Sequence, residues 1–261
     1  MNKILIENDK IIDTTINNIE YLYEDKKNIF DISKITLNIK EDSDLSIKIN
    51  MPEESKLIID INILENVFLN LNIITEGNTG KIQYKYNLGK NSHCIVEKYN
   101  LIYTIREMII ANLGESSKLE YTFKSIVTNK ENYDYMIYHN GINSVSDINN
   151  GSINELGNVY FQISSFIPKE INGCQANQFN RIINLTDNKC EIKPILYIDC
   201  DDVVANHSAL IDKFTGNEIF YLESKGICYD DAIKLLTKGF LLNNIKNEEI
   251  IDMINKRYGG E

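Results

Sequence analysis

"NLGKNS" at residues 87–92 and "NLGESS" at 112–117 are two spellings of one corner, and "NGINS" at 140–144 is a third. Gly89, Gly114 and Gly141 lie 25 and 27 residues apart, and each is followed three positions later by a serine. Glycine permits the positive φ of a tight corner, and Asn or Ser side chains bond the local backbone. Between the corners the chain alternates. In "KLIIDINIL" (56–64), Ile59, Ile61 and Ile63 face one way, Asp60 and Asn62 the other. In "NVFLNLNII" (66–74), Val67, Leu69, Leu71 and Ile73 oppose Asn70 and Asn72. Ile82, Tyr84 and Tyr86 alternate with Gln83 and Lys85, and Leu119, Tyr121 and Phe123 with Glu120, Thr122 and Lys124. A period of two with one wet face means strands. Strands and corners repeating every twenty-odd residues predict a solenoid, with rungs stacked at about 4.8 Å over a continuous apolar column. An antiparallel sandwich with similar hairpin turns shares these local signals.

The tail differs. "NEIFYLESKG" reads as a helix with Asn217 as N-cap and Gly226 past its end. "DDAIKLLTKGFLLNNI" starts a second helix at Asp230 or Asp231, with Ile233, Leu236 and Phe240, flanked by Leu235 and Leu241, as its apolar stripe. "NEEIIDMINKRYGG" starts at Asn247, with acids in its first turn and Lys256 and Arg257 in its last, matching the helix dipole. The sequence therefore divides into a strand-rich body, 1–215, and a helical tail, 216–261. Phe220, Tyr221, Leu222, Leu235, Leu236, Phe240, Leu241 and Leu242 are more apolar side chains than short helices need for self-packing. They serve to cap the body or to dock another protein.

The totals narrow the function classes. A chain of 261 residues with 43% apolar content fills a real core. Its charge of −11, with basic residues interspersed, argues against nucleic acid, which needs a concentrated basic face. The N-terminus "MNKILIENDKIIDTT" is too polar for a signal peptide, and no window approaches a membrane span. Five widely spaced cysteines, at 94, 174, 190, 200 and 228, form no disulfide framework, so a cytoplasmic, reduced protein is expected. "GNTGK" (77–81) lacks the Walker spacing, and no dinucleotide fingerprint occurs, so no nucleotide is expected to bind directly.

Residues 140–243 carry a resemblance. "NRIINLTD" (180–187), "KPILYIDCDDVVANHSA" (193–209) and "FYLESKGICYDDAIKLLTKGF" (220–240) resemble the core of the SufB/SufD family, scaffold subunits of the SUF iron–sulfur cluster assembly machine. The resemblance implies a right-handed parallel β-helix followed by C-terminal helices. It implies that those helices bind SufC, an ABC-type ATPase, here through Phe220, Tyr221, Leu222, Ile233, Leu236 and Phe240. It implies that two β-helices pair edge to edge, as a homodimer or with another SufB/SufD-type subunit, and that an iron–sulfur cluster is held transiently at the subunit interface. Long family members have an N-terminal helical region, whereas this chain begins almost directly with strands. Phe179 stands where SufB-like members have a cysteine, and His207 stands where SufD-like members have a histidine. The chain thus resembles a short, SufD-like, non-enzymatic member.

"DCDDVVANHSAL" (199–210) is the chemically dense stretch. His207 is the candidate metal ligand, with Cys200 as a second thiolate candidate seven residues earlier. On an unbroken strand the two would face opposite sides, so a turn at Asp201–Asp202 is needed to bring them together. Asp201, Asp202 and His207 as the acid/base set of a β-helix polysaccharide hydrolase is one alternative. A purely structural paralogue that binds no cluster is another. Read without either, "ILYIDC" is a strand and the two aspartates its exit corner.

Overall fold

The computed structural model describes residues 2–26 and 32–259. Strands β1 (Asn2–Glu7), β2 (Lys10–Thr15), β3 (Ile19–Glu24), β4 (Ser33–Ile39), β5 (Ser43–Met51) and β6 (Ser55–Ile63) lead into two long strands, β7 (Phe68–Leu88) and β8 (His93–Leu113). Each long strand turns a corner midway, so its two halves join different ladders. Then β9 (Lys118–Val127), β10 (Lys130–His139), β11 (Val145–Asn154), β12 (Asn158–Ile167), β13 (Cys174–Asn184), β14 (Cys190–Ile198) and β15 (Val203–Asp212) alternate between the two ladders. The first face is β1, β5, the first halves of β7 and β8, then β9, β11, β13 and β15. The second face is β4, β6, the second halves of β7 and β8, then β10, β12 and β14. Every pairing along these stacks is parallel. The expected parallel β-helix is the observed fold, and the sandwich alternative is excluded.

Register shows how the sequence repeat becomes the coil. Phe68 pairs with His93, His93 with Lys118, Lys118 with Val145 and Val145 with Gln175. The coil grows toward the C-terminus, and the extra residues fall in corners. At the repeated corner the positive φ falls on Asn91, Ser116 and Asn143, not on the glycines. This corrects the reason for Gly89, Gly114 and Gly141. A Cβ on Gly89 would lie 2.8 Å from Glu65 N, and one on Gly114 would lie 2.7 Å from Leu88 O, so the corner glycines are needed for coil-to-coil contact. Ser92 Oγ donates to Gly89 O at 2.8 Å and Ser117 Oγ to Gly114 O at 2.9 Å, closing each corner.

Inside, Tyr84, Tyr86, Tyr121, Phe123, Tyr133, Tyr135 and Phe161 are fully buried in one stack, with Tyr133 on Phe161 at 4.8 Å. Each such side chain contributes roughly 1.5–3 kcal/mol by burial. On the second face one outward column is an amide ladder. Asn62 donates to Asn38, Asn87 to Asn62 and Asn112 to Asn87, at 2.9, 2.8 and 2.8 Å. The same column continues as stacked rings, Tyr138 on Phe166 and Phe166 on Tyr197, at 4.7 and 4.8 Å.

The tail is α1 (Gly216–Glu223), α2 (Tyr229–Leu242) and α3 (Glu248–Tyr258). The N-cap of α1 is Thr215, not Asn217: "TGNE" is a capping box in which Thr215 and Glu218 satisfy each other's backbone N–H. The α2 helix starts at Tyr229 with Cys228 as cap, a residue or two before the expected aspartates. Asn247 caps α3 as expected, accepting from Ile250 N at 3.0 Å.

Candidate functional site

The open end of the solenoid and the tail beside it carry the candidate residues. At the N-terminal end β2 and β3 run antiparallel to β1 and β4 and cover their edges. At the other end β14 pairs only with β12, and β15 only with β13, so both leave an unpaired side among the described residues. Tyr197, Val204, Leu210 and Ile211 are exposed there.

The dense stretch divides at the corner between these strands. Strand β14 ends at Ile198, and Asp201 and Asp202 are exposed in the corner, where Asp202 O accepts from Gly173 N at 2.8 Å. Cys200 is turned inward and 7% exposed, and its thiol donates to Asn172 Oδ1 at 3.0 Å. It packs with Cys174, Ala176 and Ile167 in a small terminal core. His207 lies mid-strand in β15, in register with Gln178 of the preceding coil. Gln178 is fully buried and donates to Ser165 Oγ at 2.8 Å. His207 therefore sits on the inward row of the coil and is exposed because it belongs to the terminal coil. The corner at Asp201–Asp202 exists, but Cys200 faces the terminal core and His207 the open edge. Among the described residues no group of three or more His, Cys, Asp or Glu side chains converges as a metal site.

The tail's candidates divide too. No residue of α1 is buried: Phe220 is 71% and Tyr221 62% exposed, with Leu222 half-buried. Tyr229 and Leu235 extend this free surface onto α2. The buried side of α2 is Ala232, Thr237 and Leu241, while Ile233, Leu236 and Phe240 are half-buried, so the expected stripe lies beside the buried one. The Phe240 ring seats on the body between Lys124 Nζ at 4.8 Å and the Arg181 guanidinium at 5.6 Å. Gly151 makes room, because a Cβ there would come 3.1 Å from the Phe240 ring and 2.7 Å from Lys124 Nζ. Burial, with Arg181 nearby, lowers the Lys124 pKa to about 8. Leu241, Ile245, Ile250 and Ile254 cover Tyr99, Ile126, Ile153 and Ile183 on the first face. Glu97 Oε2 accepts from the backbone N–H of Lys246 and Asn247 at 2.9 and 2.8 Å, and Glu155 takes Arg257 at 2.8 Å and Tyr258 at 2.6 Å. The rear of the tail is thus fixed, and α1 projects.

Two polar clusters were not anticipated. Inside the middle coils Lys98 Nζ contacts Glu107 at 2.9 Å and donates to Asn100 Oδ1 at 2.6 Å. Asn100 Nδ2 donates to the Tyr133 hydroxyl at 3.0 Å, which donates to Glu131 at 2.8 Å. All five are fully buried. Desolvation lowers the Lys98 pKa and raises that of Glu131 to about 8. Strict alternation from Cys94 and Val96 already assigns Lys98 and Asn100 to the inside, so the signal was present. Near the open end, His139 is buried between Ser144 Oγ at 2.8 Å and Ser146 Oγ at 3.0 Å, and burial lowers its pKa to about 4.

Among the described residues no helix is long and apolar enough to cross a membrane. Residues 78–240 match the family described as SUF system FeS cluster assembly, SufBD core domain. The chain is 26% identical over 197 residues to the iron-sulfur cluster assembly protein SufD of Bacillus subtilis, covering 73% of this chain and 42% of that protein. It is 31% identical over 103 residues to a SufBD family protein of Synechocystis, covering 39% of this chain and 21% of the relative. A SufBD family protein of Mycobacterium leprae is 34% identical over 76 residues, covering 28% and 19%. The chain spans less than half the length of these relatives. With the family match covering more than half of the chain, and the parallel coil and helical tail in place, this protein belongs to the SufBD family of SUF-system iron–sulfur cluster assembly proteins.

Proposed function

We propose that the protein is a non-enzymatic scaffold subunit whose projecting α1 docks an ABC-type ATPase of the SufC kind, and whose open solenoid edge pairs with a second SufB/SufD-type subunit. The observation that carries this reading is the division of the tail. Its rear is fixed to the body through Glu97, Glu155 and Phe240, while Phe220 and Tyr221 stay uncovered. A projecting apolar helix on a fixed base can pass a partner's motion to the coil stack. The cluster is cargo held between two edges. His207 supplies its contact from this chain, as a neutral imidazole nitrogen. Cys200 reaches the same edge only by releasing Asn172.

Pull-down with a co-expressed SufC-like ATPase tests the docking. Phe220→Asp with Tyr221→Asp should abolish capture while the β-rich circular dichroism is unchanged; capture at wild-type level refutes the role of α1. Anaerobic reconstitution with iron and sulfide should give a visible chromophore that weakens in His207→Ala. ATPase capture without any chromophore would mark the protein as a structural paralogue.

A further inference from the structure

The first face of the solenoid is covered by the protein's own helices, and among the described residues no helix lies on the second. The second face carries the sign of charge opposite to that of the chain as a whole. Pointing outward from β4, β6 and the second halves of β7 and β8 are Lys34, Lys56, Lys81, Lys85 and Arg106, against one carboxylate, Asp60. The whole protein has a net charge of −11. Register stacks Lys56, Lys81 and Arg106 in a single column. Like charges directly opposite one another on neighbouring strands are unfavourable. Lys34 is paired with Asp60 at 2.8 Å and Lys81 with Glu54 at 3.1 Å. Lys56, Lys85 and Arg106 make no ion pair among the described residues.

Beside this column the outward residues are mixed. Ile58, Gln83 and Met108 share one column, which continues to Asp134, and Asp60, Lys85, Ile110 and Met136 form the next, all half-buried. A cavity of about 250 Å³ opens between the Lys56–Arg106 column and the Ile58–Met108 column, lined by Ile32, Lys56, Ile58, Gln83, Arg106 and Met108 among others. Unbranched methionines adapt to an incoming surface.

We propose that this face docks an acidic amphipathic helix of a partner protein. Rungs repeat at about 4.8 Å and helix turns at about 5.4 Å, so carboxylates at i, i+4 and i+7 on a helix lying along the solenoid axis meet Lys56, Lys81 and Arg106 in turn. The helix's apolar flank then falls on Ile58, Met108 and Ile110. The chain already provides the matching geometry on its other face, where α2 and α3 lie with Leu241 and Ile250 over Tyr99 and Ile126. Charge complementarity selects an acidic occupant, and the half-buried Ile58, Met108, Ile110 and Met136 select a helix with an apolar flank over a nucleic-acid strand.

The probe is a fluorescein-labelled fourteen-residue helical peptide, with Glu at i, i+4 and i+7 beside a Leu flank, titrated into the full chain. A matched peptide with Lys in place of Glu is the control. The acidic peptide should bind, and Lys81→Glu with Arg106→Glu should weaken it at least tenfold while strengthening the Lys peptide. Bound peptide should slow peroxide oxidation of Met108 and Met136. The Phe220→Asp, Tyr221→Asp protein should bind the peptide as wild type does, which separates this site from ATPase docking. Equal affinity for wild type and the charge-reversed variant overturns the proposal. So does protection of α1 instead of Met108, or tighter binding of a dT oligonucleotide that the same variant abolishes.

Discussion

The two ends of the coil are built on opposite rules. At the N-terminal end, β2 and β3 reverse direction and close the edges of the first coil, and Ile4 and Ile6 of β1 and Ile19 of β3 are buried there. At the C-terminal end, β14 and β15 stop with their outer sides unpaired among the described residues, and the strands' own residues are half-buried or exposed. An unpaired strand edge is a template for another chain, so natural proteins cover or charge it unless it has a use. Strand β15, "VVANHSALID", carries no charge before Asp212 and no proline. The closed end is finished within the chain; the open end is left for the pairing proposed above.

Mutations at matched positions test this contrast, and the largest effect belongs to the closed end. Ile6→Ala, in a sealed core, should cost about 2–5 kcal/mol in denaturant melts, whereas Leu196→Ala, half-buried in β14, should cost less in the isolated subunit. Next comes the edge itself. Val204→Lys with Leu210→Lys should weaken self-association or pairing by about 3 kcal/mol, roughly 100-fold, in sedimentation equilibrium. Ile12→Lys on β2, also exposed, should leave association unchanged; equal loss from both ends would erase the contrast.

A pH effect follows from His139, close to the open end. Its folded pKa is lowered to about 4 from 6.5, so the folded protein keeps the ring neutral while the unfolded chain takes a proton. Stability should therefore fall as pH drops from about 6.5 toward 4, at up to about 1.4 kcal/mol per pH unit. His139→Gln should flatten that part of the profile; an unchanged slope would show that other groups set it. The smallest effect belongs to the tail base. Glu97→Gln should cost about 1 kcal/mol and speed amide exchange at Lys246 and Asn247, with no change in the coils.

The body was legible because its physics is periodic. Alternation in 56–64 and 66–74 gave the strand faces, and the spacing of the three corners gave the coil. The corner conformation was misassigned: positive φ and close contact both make a corner intolerant of side chains, and sequence cannot tell which applies. It fell on Asn91 while Gly89 answers a neighbour one coil away. In the tail, the Thr215–Glu218 pair spells a capping box, a stronger N-cap signal than Asn217 alone. The site was harder to read. Cys200 and His207 are seven residues apart in sequence, but their directions depend on the geometry of the Asp201–Asp202 corner and on where the solenoid ends. Phe220 and Phe240 look equivalent on a helical wheel. Only the body, through Lys124, Arg181 and Gly151, distinguishes the exposed one from the seated one.

The carboxylate of Glu97 holds the start of a helix that lies about 150 positions further along the chain. During synthesis the coil bearing Glu97 emerges long before α3 does, so the seat is ready when its occupant arrives. A ribosome that stops early leaves Tyr99, Ile126 and Ile153 bare, an oily stripe that quality-control proteases can recognise. Shielding of that stripe by Leu241, Ile250 and Ile254 is thus complete only once α3 has been made.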